Sequence, residues 1–430
     1  MFLVRIQLCE TTQVCNPGVG VNQIAGHPSP KLADRSQTRD SSEHRRGAVM
    51  SKTTLKIGFV GAGAIHFGRP EVPWDHASRL EKIGGIEVIG IVDPDTRRSD
   101  EVLKERLASP EHGHMYTHCR LLTDYRELLG MKPDVVLIGI PPAFRGSPKE
   151  GKNLELEFAQ AGIHVFVEKP LSLVLPEEFT PYACSVAEAC RTNNVVLSVG
   201  YMFRYHAAVL KMKELIAQHG GKVMAFNARY YFAYTEGINK YWFQQEFSGG
   251  PIVEQATHFC DLARYIVGDI DMTSLHTLML NDSDKGGAGK LNNQSEHAED
   301  DIPSSKRIPR VTLSHWRFQD GGLGTLMHSV TLPGSRYQAT IDVQLDGLQL
   351  SLIDPYESTS ILKVRTLEGG NPNQEQDFVF KNDDTYLREL DTFIKAVRQG
   401  KQSLIKSSYE DAMKTYELTW AIRRQGEVKD

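Results

Sequence analysis

The chain has no Cys-x-x-Cys pair, no Cys/His cluster, no block of basic residues and no apolar run near the ~20 residues that span a bilayer. Its six cysteines lie apart at 9, 15, 119, 184, 190 and 260, which argues against a zinc site and a disulfide framework and fits a reducing, cytoplasmic setting. Cys184, Cys190 and Cys260 read as small apolar residues. A net charge of −5 without basic patches gives no electrostatic support for nucleic acid or an anionic membrane. No internal repeat is visible, and no metal is implied. What is present is an ordinary globular composition, 40% apolar and 24% charged, over 430 residues, which is long enough for two domains.

Residues 1–50 lack periodicity and are rich in Ser, Thr, Asn, Pro, Gly and Arg, so they read as a disordered leader. Arg and Ser would suit a transit peptide, but Glu10, Asp34, Asp40 and Glu43 spoil its acid-poor signature. Met50 offers an alternative start.

From Lys56 short apolar runs (LKIGFV, IEVIGIV, DVVLIGI, HVFV, VVLSVG) alternate with helical segments such as SDEVLKERLA and NLELEFAQAG. That pattern predicts a parallel sheet covered on both faces, hence an α/β Rossmann-type domain over 51–200. After residue 200 the strand-like runs follow one another closely: KVMAFNARYYFAY, RVTLSHWRF, GLGTLMHSVTL, YQATIDVQLDG and LQLSLIDP. Turn signals at Asp320-Gly321-Gly322 and Asp346-Gly347 separate them, predicting an α+β domain with a mostly antiparallel open sheet over 201–430. The polar stretch 281–306 reads as a mobile surface insertion. Two helices close the chain and are candidates to pack back on the first domain; Leu387, Leu390, Phe393, Ile394 and Val397 form the apolar stripe of the earlier one.

Three segments carry chemistry. The first strand runs into Gly58, Gly61 and Gly63, where a tight turn can bring backbone N–H groups of Ala64 and Ile65 to a pyrophosphate. His66 stands where a G-x-G-x-x-G pattern has its third glycine. Asp93 ends the second strand and is placed to accept the ribose hydroxyls of NAD, although the interval from Gly61 is about ten residues longer than usual. A turn before Pro94 is its plainer role. Arg97 and Arg98 could instead hold a 2′-phosphate, so NADP stays open beside a slightly favoured NAD. Pro141 and Glu168 complete the expected cofactor contacts at later strand ends.

The second segment is Glu168-Lys169-Pro170. Ligands bind beyond the carboxyl ends of a parallel sheet, so Lys169 points to the reacting region, with Pro170 restricting its backbone. The third, SGGPIVEQATHFCDLARYIVG, placed on one helix sets Glu254, His258, Asp261 and Tyr265 on a polar stripe and Val253, Ala256, Cys260, Ala263 and Val267 opposite. His258 is then a candidate general acid/base, oriented by Asp261 or Glu254; a merely solvated helix face is the plain alternative. Arg204, Tyr205, Tyr241 and Trp242 are candidate substrate contacts, with Asp261 beside them; for the aromatics simple core packing is an even alternative.

The order GxG, EKP, GGxxxExxxHxxD, together with VGYMFRYHAAVLKMKELI and ELDTFIKAVRQG, resembles the glucose–fructose oxidoreductase/inositol dehydrogenase/MocA family from about residue 55 to the end. The resemblance implies an NAD(P)-dependent oxidoreductase with Lys169 and His258 flanking the reacting carbon. It also implies a sugar, polyol or related cyclic substrate and a homo-oligomer formed through the C-terminal sheet. Many relatives have Asp at Glu254. Two rival readings are a non-catalytic NAD(P)-binding regulator, marked by loss of the Lys or His that are both present here, and an NAD-dependent glycoside hydrolase.

Overall fold

A computed structural model describes residues 54–69, 75–234, 242–286, 299–334, 336–368 and 371–427. The leader 1–50 and Tyr241 lie outside the described residues. Short apolar runs form the first sheet: β1 (Leu55–Val60), β2 (Ile86–Val92), β3 (Arg120–Leu122), β4 (Val135–Ile138), β5 (His164–Val167) and β6 (Leu197–Val199). All pairs are parallel, in the order β3-β2-β1-β4-β5-β6. That is the doubly wound order, with its switch point between β1 and β4. β3 is too short and too exposed to have shown in the sequence pattern.

Alternate residues of these strands enter two different cores. Ile57, Phe59, Val135, Leu137 and Phe166 face one that includes Leu390, Phe393, Ile394 and Val397 of the helix Thr385–Gln399. Val60, Val136, Ile138, Val165 and Val167 face the other, with Tyr409, Tyr416 and Trp420 of the helix Tyr409–Glu427. Gly400 ends the earlier helix at φ 62°, the left-handed conformation that suits glycine.

The second sheet has eight strands: β7 (Ala225–Ala233), β8 (Ile270–Leu280), β9 (Val311–Phe318), β10 (Leu323–Leu332), β11 (Gln338–Leu345), β12 (Leu348–Ile353), β13 (Thr359–Thr366) and β14 (Gln376–Lys381). Their order is β14-β13-β12-β11-β7-β10-β9-β8, antiparallel except for β7 and β10. Its inner face packs on the helices Ala207–His219 and Thr257–Ile266, whose Val209, Met212, Phe259 and Leu262 join Phe226, Leu326, Ile341 and Leu350.

Two expectations need correction here. The stretch 281–306 is not an insertion throughout. Glu299 is fully buried, accepts a hydrogen bond from Tyr234 Oη at 2.9 Å and pairs with Arg310, while Ile302 enters the core; residues 287–298 lie outside the described residues. The segment from Gly249 is also not one amphipathic helix. It breaks at Gln255–Ala256 into Gly250–Glu254 and Thr257–Ile266, and Thr257 through Arg264 are all buried. Of its polar stripe, Asp261 meets a buried partner, while Glu254 and His258 face a cleft.

Candidate active site

The carboxyl ends of β1, β4, β5 and β6 converge on one cleft of about 470 Å³. Ala64 and Ile65 reach it from the turn after β1, Gly139 to Pro142 from β4, Glu168 and Lys169 from β5, and Gly200 and Met202 from β6. The facing wall comes from the second sheet, its helices and connecting segments, Tyr230, Phe232, Trp242, Glu254, Gln255, His258, Tyr337 and Tyr356, with Tyr386 from the helix Thr385–Gln399.

The turn after β1 is shaped for a close approach. Gly61 has φ 108°, and a Cβ there would stand 3.1 Å from Ile140 Cγ2, whereas Gly63 opens onto free space. A dinucleotide's pyrophosphate fits against Gly63, Ala64 and Ile65 on this evidence. Gly58 lies inside β1 and makes room for Leu128, so it packs and does not line the cleft. His66 accounts for the missing third glycine: its Nδ1 lies 2.8 Å from Gly61 O, and its ring fills the space left by Gly139, where a Cβ would come within 2.4 Å of Nε2. The absent side chain has moved from helix to strand. Burial and the neighbouring His76 push the His66 pKa down to about 3, so it is neutral.

Asp93 is bonded to the same turn, its Oδ2 accepting from Ala62 N at 2.6 Å and its Oδ1 from Asp95 N at 2.8 Å. Arg98 donates to Ala62 O and Gly68 O, while the Arg97 side chain is 81% exposed.

Lys169 is anchored at its tip. Its Nζ donates to Glu254 O at 2.8 Å and to Glu254 Oε1 at 3.1 Å, and Glu254 Oε2 accepts from Trp242 Nε1 at 3.1 Å. The Lys169–Pro170 peptide is cis. Glu168 Oε1 lies 3.0 Å from His76 Nε2. His258 is buried at the cleft, and its Nδ1 has no hydrogen-bond partner among the described residues. Burial first, and the Lys169 charge second, hold its pKa well below the usual 6.5, so the imidazole is neutral. Neither Asp261 nor Glu254 orients it.

The structure thus brings together Lys169, Glu254, His258 and Trp242, but not Arg204 or Asp261. Those two form a buried pair, Arg204 Nε to Asp261 Oδ2 at 2.7 Å and Nη2 to Oδ1 at 2.6 Å, which Thr415 and Asp411 extend. Neither lines the cleft. Tyr205 is buried, its Oη accepting from Lys406 N at 3.0 Å, and Tyr265 packs against Arg204 and Lys213. The sequence reading missed Tyr230, Tyr337, Tyr356 and Tyr386 because they come from four separate segments. The outward-inward alternation of β7 was the one available signal for Tyr230 and Phe232.

Comparison with known proteins adds identity to this geometry. Residues 55–201 match the profile described as oxidoreductase family, NAD-binding Rossmann fold, and residues 204–348 match an oxidoreductase C-terminal domain. A Schizosaccharomyces pombe protein described as uncharacterized is 38% identical over 384 residues, covering 86% of this chain and 90% of its own length. The scyllo-inositol 2-dehydrogenase (NAD(+)) of Bacillus subtilis is 25% identical over 333 residues, 77% of this chain and 84% of that one. Among solved structures, levoglucosan dehydrogenase in complex with NADH and levoglucosan superposes with a TM-score of 0.65 at 15% identity, covering 86% of this chain and 96% of that one, a likeness of fold.

Proposed function

The chain belongs to the glucose–fructose oxidoreductase/inositol dehydrogenase/MocA family of NAD(P)-binding oxidoreductases, and from that premise we propose that it interconverts a secondary alcohol and a carbonyl on a sugar, polyol or related cyclic substrate. The observation that carries the reading is a neutral, buried His258 and an anchored Lys169 on one cleft at the strand ends. Bound nicotinamide would supply hydride acceptance and donation. His258 takes the hydroxyl proton, and Lys169 donates to the oxygen as negative charge develops on it. Glu254, bonded to both Lys169 and Trp242, holds the ammonium in place. The aromatic wall of Phe232, Trp242 and Tyr337 suits the apolar face of a ring. The named activities of the Bacillus subtilis and levoglucosan relatives support this substrate class.

NAD is the favoured cofactor, because Asp93 ends β2 as a carboxylate and Arg98 is engaged with the backbone. Working units of about 51–200 and 201–430 go with this division of labour. The open face of the second sheet, where Leu278, Leu313 and Met327 lie side by side across β8, β9 and β10, supports a homo-oligomer. A cytoplasmic location is supported by Cys119, Cys184, Cys190 and Cys260 standing as thiols; among the described residues no helix is long and apolar enough to cross a membrane.

The test follows nicotinamide absorbance with NAD or NADP and a panel of sugars and polyols. Lys169→Ala and His258→Ala should each lower turnover by about 10²- to 10⁴-fold while cofactor binding survives. Cofactor binding with no turnover of any panel member in either direction would point to a binding protein instead. Full activity in both variants would remove Lys169 and His258 from the chemistry.

A further inference from the structure

We infer that Arg145 is a positioning residue for this reaction: its buried guanidinium ties the Lys169 loop to the end of β4 and thereby fixes where the ammonium stands. The inference rests on the function proposed above. Arg145 is 1% exposed, an unusual place for a residue that is almost never fully buried unless paired. Its charge is met by Glu155, fully buried, with Nη1 and Oε1 3.4 Å apart. That distance is long for a charge-assisted hydrogen bond, and the fork is aimed elsewhere.

Four main-chain carbonyls take its donors. Nε donates to Ile140 O at 3.1 Å, Nη1 to Leu171 O at 3.0 Å, and Nη2 to Pro170 O at 2.8 Å and to Glu168 O. Ile140 lines the cleft on the β4 side, and Glu168 and Lys169 line it on the β5 side. One planar group therefore spans two lips of the site and holds the carbonyls of the residues on both sides of Lys169. Glu155 is fixed in turn, its Oε2 accepting from Tyr182 Oη at 2.9 Å and Gly146 N at 3.3 Å. A lysine could keep the charge at 145 but has three donors on one nitrogen, and could not reach four carbonyls arranged around a plane.

The structure separates two roles that a single loss of activity would merge. In Glu155→Gln the guanidinium keeps its four carbonyls while its counter-charge and one acceptor oxygen are lost, so stability should fall with turnover retained. In Arg145→Lys the charge remains and the lips are released, so kcat should fall about 10- to 100-fold, the scale of an ångström-sized displacement.

A second readout does not depend on turnover. The ionisable groups around His258 among the described residues include Lys169, Glu168, Glu254 and the phenols of Tyr201, Tyr230 and Tyr356, all three phenols kept neutral by burial. If Arg145→Lys lets Lys169 drift, the His258 titration, followed by NMR of histidine-labelled full-length protein without substrate, should move up toward 6.5. Glu155→Gln should leave it in place. Unchanged kcat and an unchanged His258 titration in folded Arg145→Lys would overturn the inference. So would losses of kcat that track loss of stability equally in both variants. If the wild-type chain turns over no substrate, the proposed function fails, while the titration still decides whether Arg145 positions Lys169.

Discussion

In the six-stranded sheet, neighbouring residues of one strand enter opposite cores: Val135 and Leu137 one, Val136 and Ile138 the other. In the eight-stranded sheet only alternate residues are covered, and a row running Leu278–Leu313–Met327–Arg229–Thr340–Ile353 lies on the open face. The difference decides what each sheet contributes. A sheet covered on both faces has only its strand ends free, so it supplies the residues of its end turns, Glu168 and Lys169 among them, to the cleft. A sheet covered on one face can send strand side chains such as Tyr230 and Phe232 into the site from a rigid base. On the function proposed above, the cofactor would meet loops, while the substrate would meet Tyr230 and Phe232 on β7 as well as Trp242 and Tyr337 on connecting segments.

The largest effect that would sharpen this contrast comes from the same substitution made in both sheets. Leu137→Ala in β4 removes a fully buried side chain and should cost about 2–5 kcal/mol. Leu278→Ala, at a residue 72% exposed, should change monomer stability by no more than ~0.5 kcal/mol. Urea denaturation of both variants measures this. Equal losses would mean that the open face is as covered as the closed one. Leu313→Glu on that face should weaken self-association without unfolding the chain, as read by sedimentation.

A middle-sized effect divides the two regions by pH. Burial holds His66, in the first region, and His328, in the second, near 3, and His206 near 4. The unfolded chain protonates each near 6.5, so below that value it binds more protons than the folded chain. Stability should therefore fall as pH drops from 6.5, by up to ~1.4 kcal/mol per pH unit for each histidine. Glu389 acts the other way: burial, with Glu168 and Asp261 nearby, keeps it protonated in the fold, so its contribution declines as pH rises above 4.5. His66→Phe and His328→Phe should each flatten the acid slope by one histidine's share in denaturation series at neutral and mildly acidic pH. An unchanged slope in either variant would show that histidine to be protonated in the fold.

The same contrast explains what could be read in advance. All strands of the first sheet but β3 were legible because burial on both faces demands unbroken apolar runs, and the turn after β1, Lys169 and His258 were legible because each sits in a short local motif. β8, β13 and β14 were not, since one-sided strands with exposed Leu278, Arg365 and Val379 dilute the pattern. Arg204 and Asp261 misled for a related reason. Charge on a helix face signals either solvent or a buried counter-charge, and the partner here is 57 residues away in sequence. Tyr337, Tyr356, Tyr386 and Arg145 carry no local pattern at all; only the tertiary fold brings them to the site.

The smallest effect tests the loop side, where Asp93 is already occupied with Ala62 N and Asp95 N. A carboxylate used to shape the turn and also to accept ribose hydroxyls should do both, because its second lone pairs stay available on each oxygen. Asp93→Ala should then weaken NAD binding several-fold, about 1 kcal/mol for lost hydrogen bonds, and weaken NADP binding less or improve it, since a 2′-phosphate no longer meets a negative charge. Arg98, released from a turn that has lost its brace, is the residue placed to meet that phosphate. Titration of cofactor fluorescence with both dinucleotides gives the ratio. A ratio unmoved by Asp93→Ala, with both affinities reduced alike, would reduce Asp93 to a brace for the turn and move cofactor choice elsewhere on the loop.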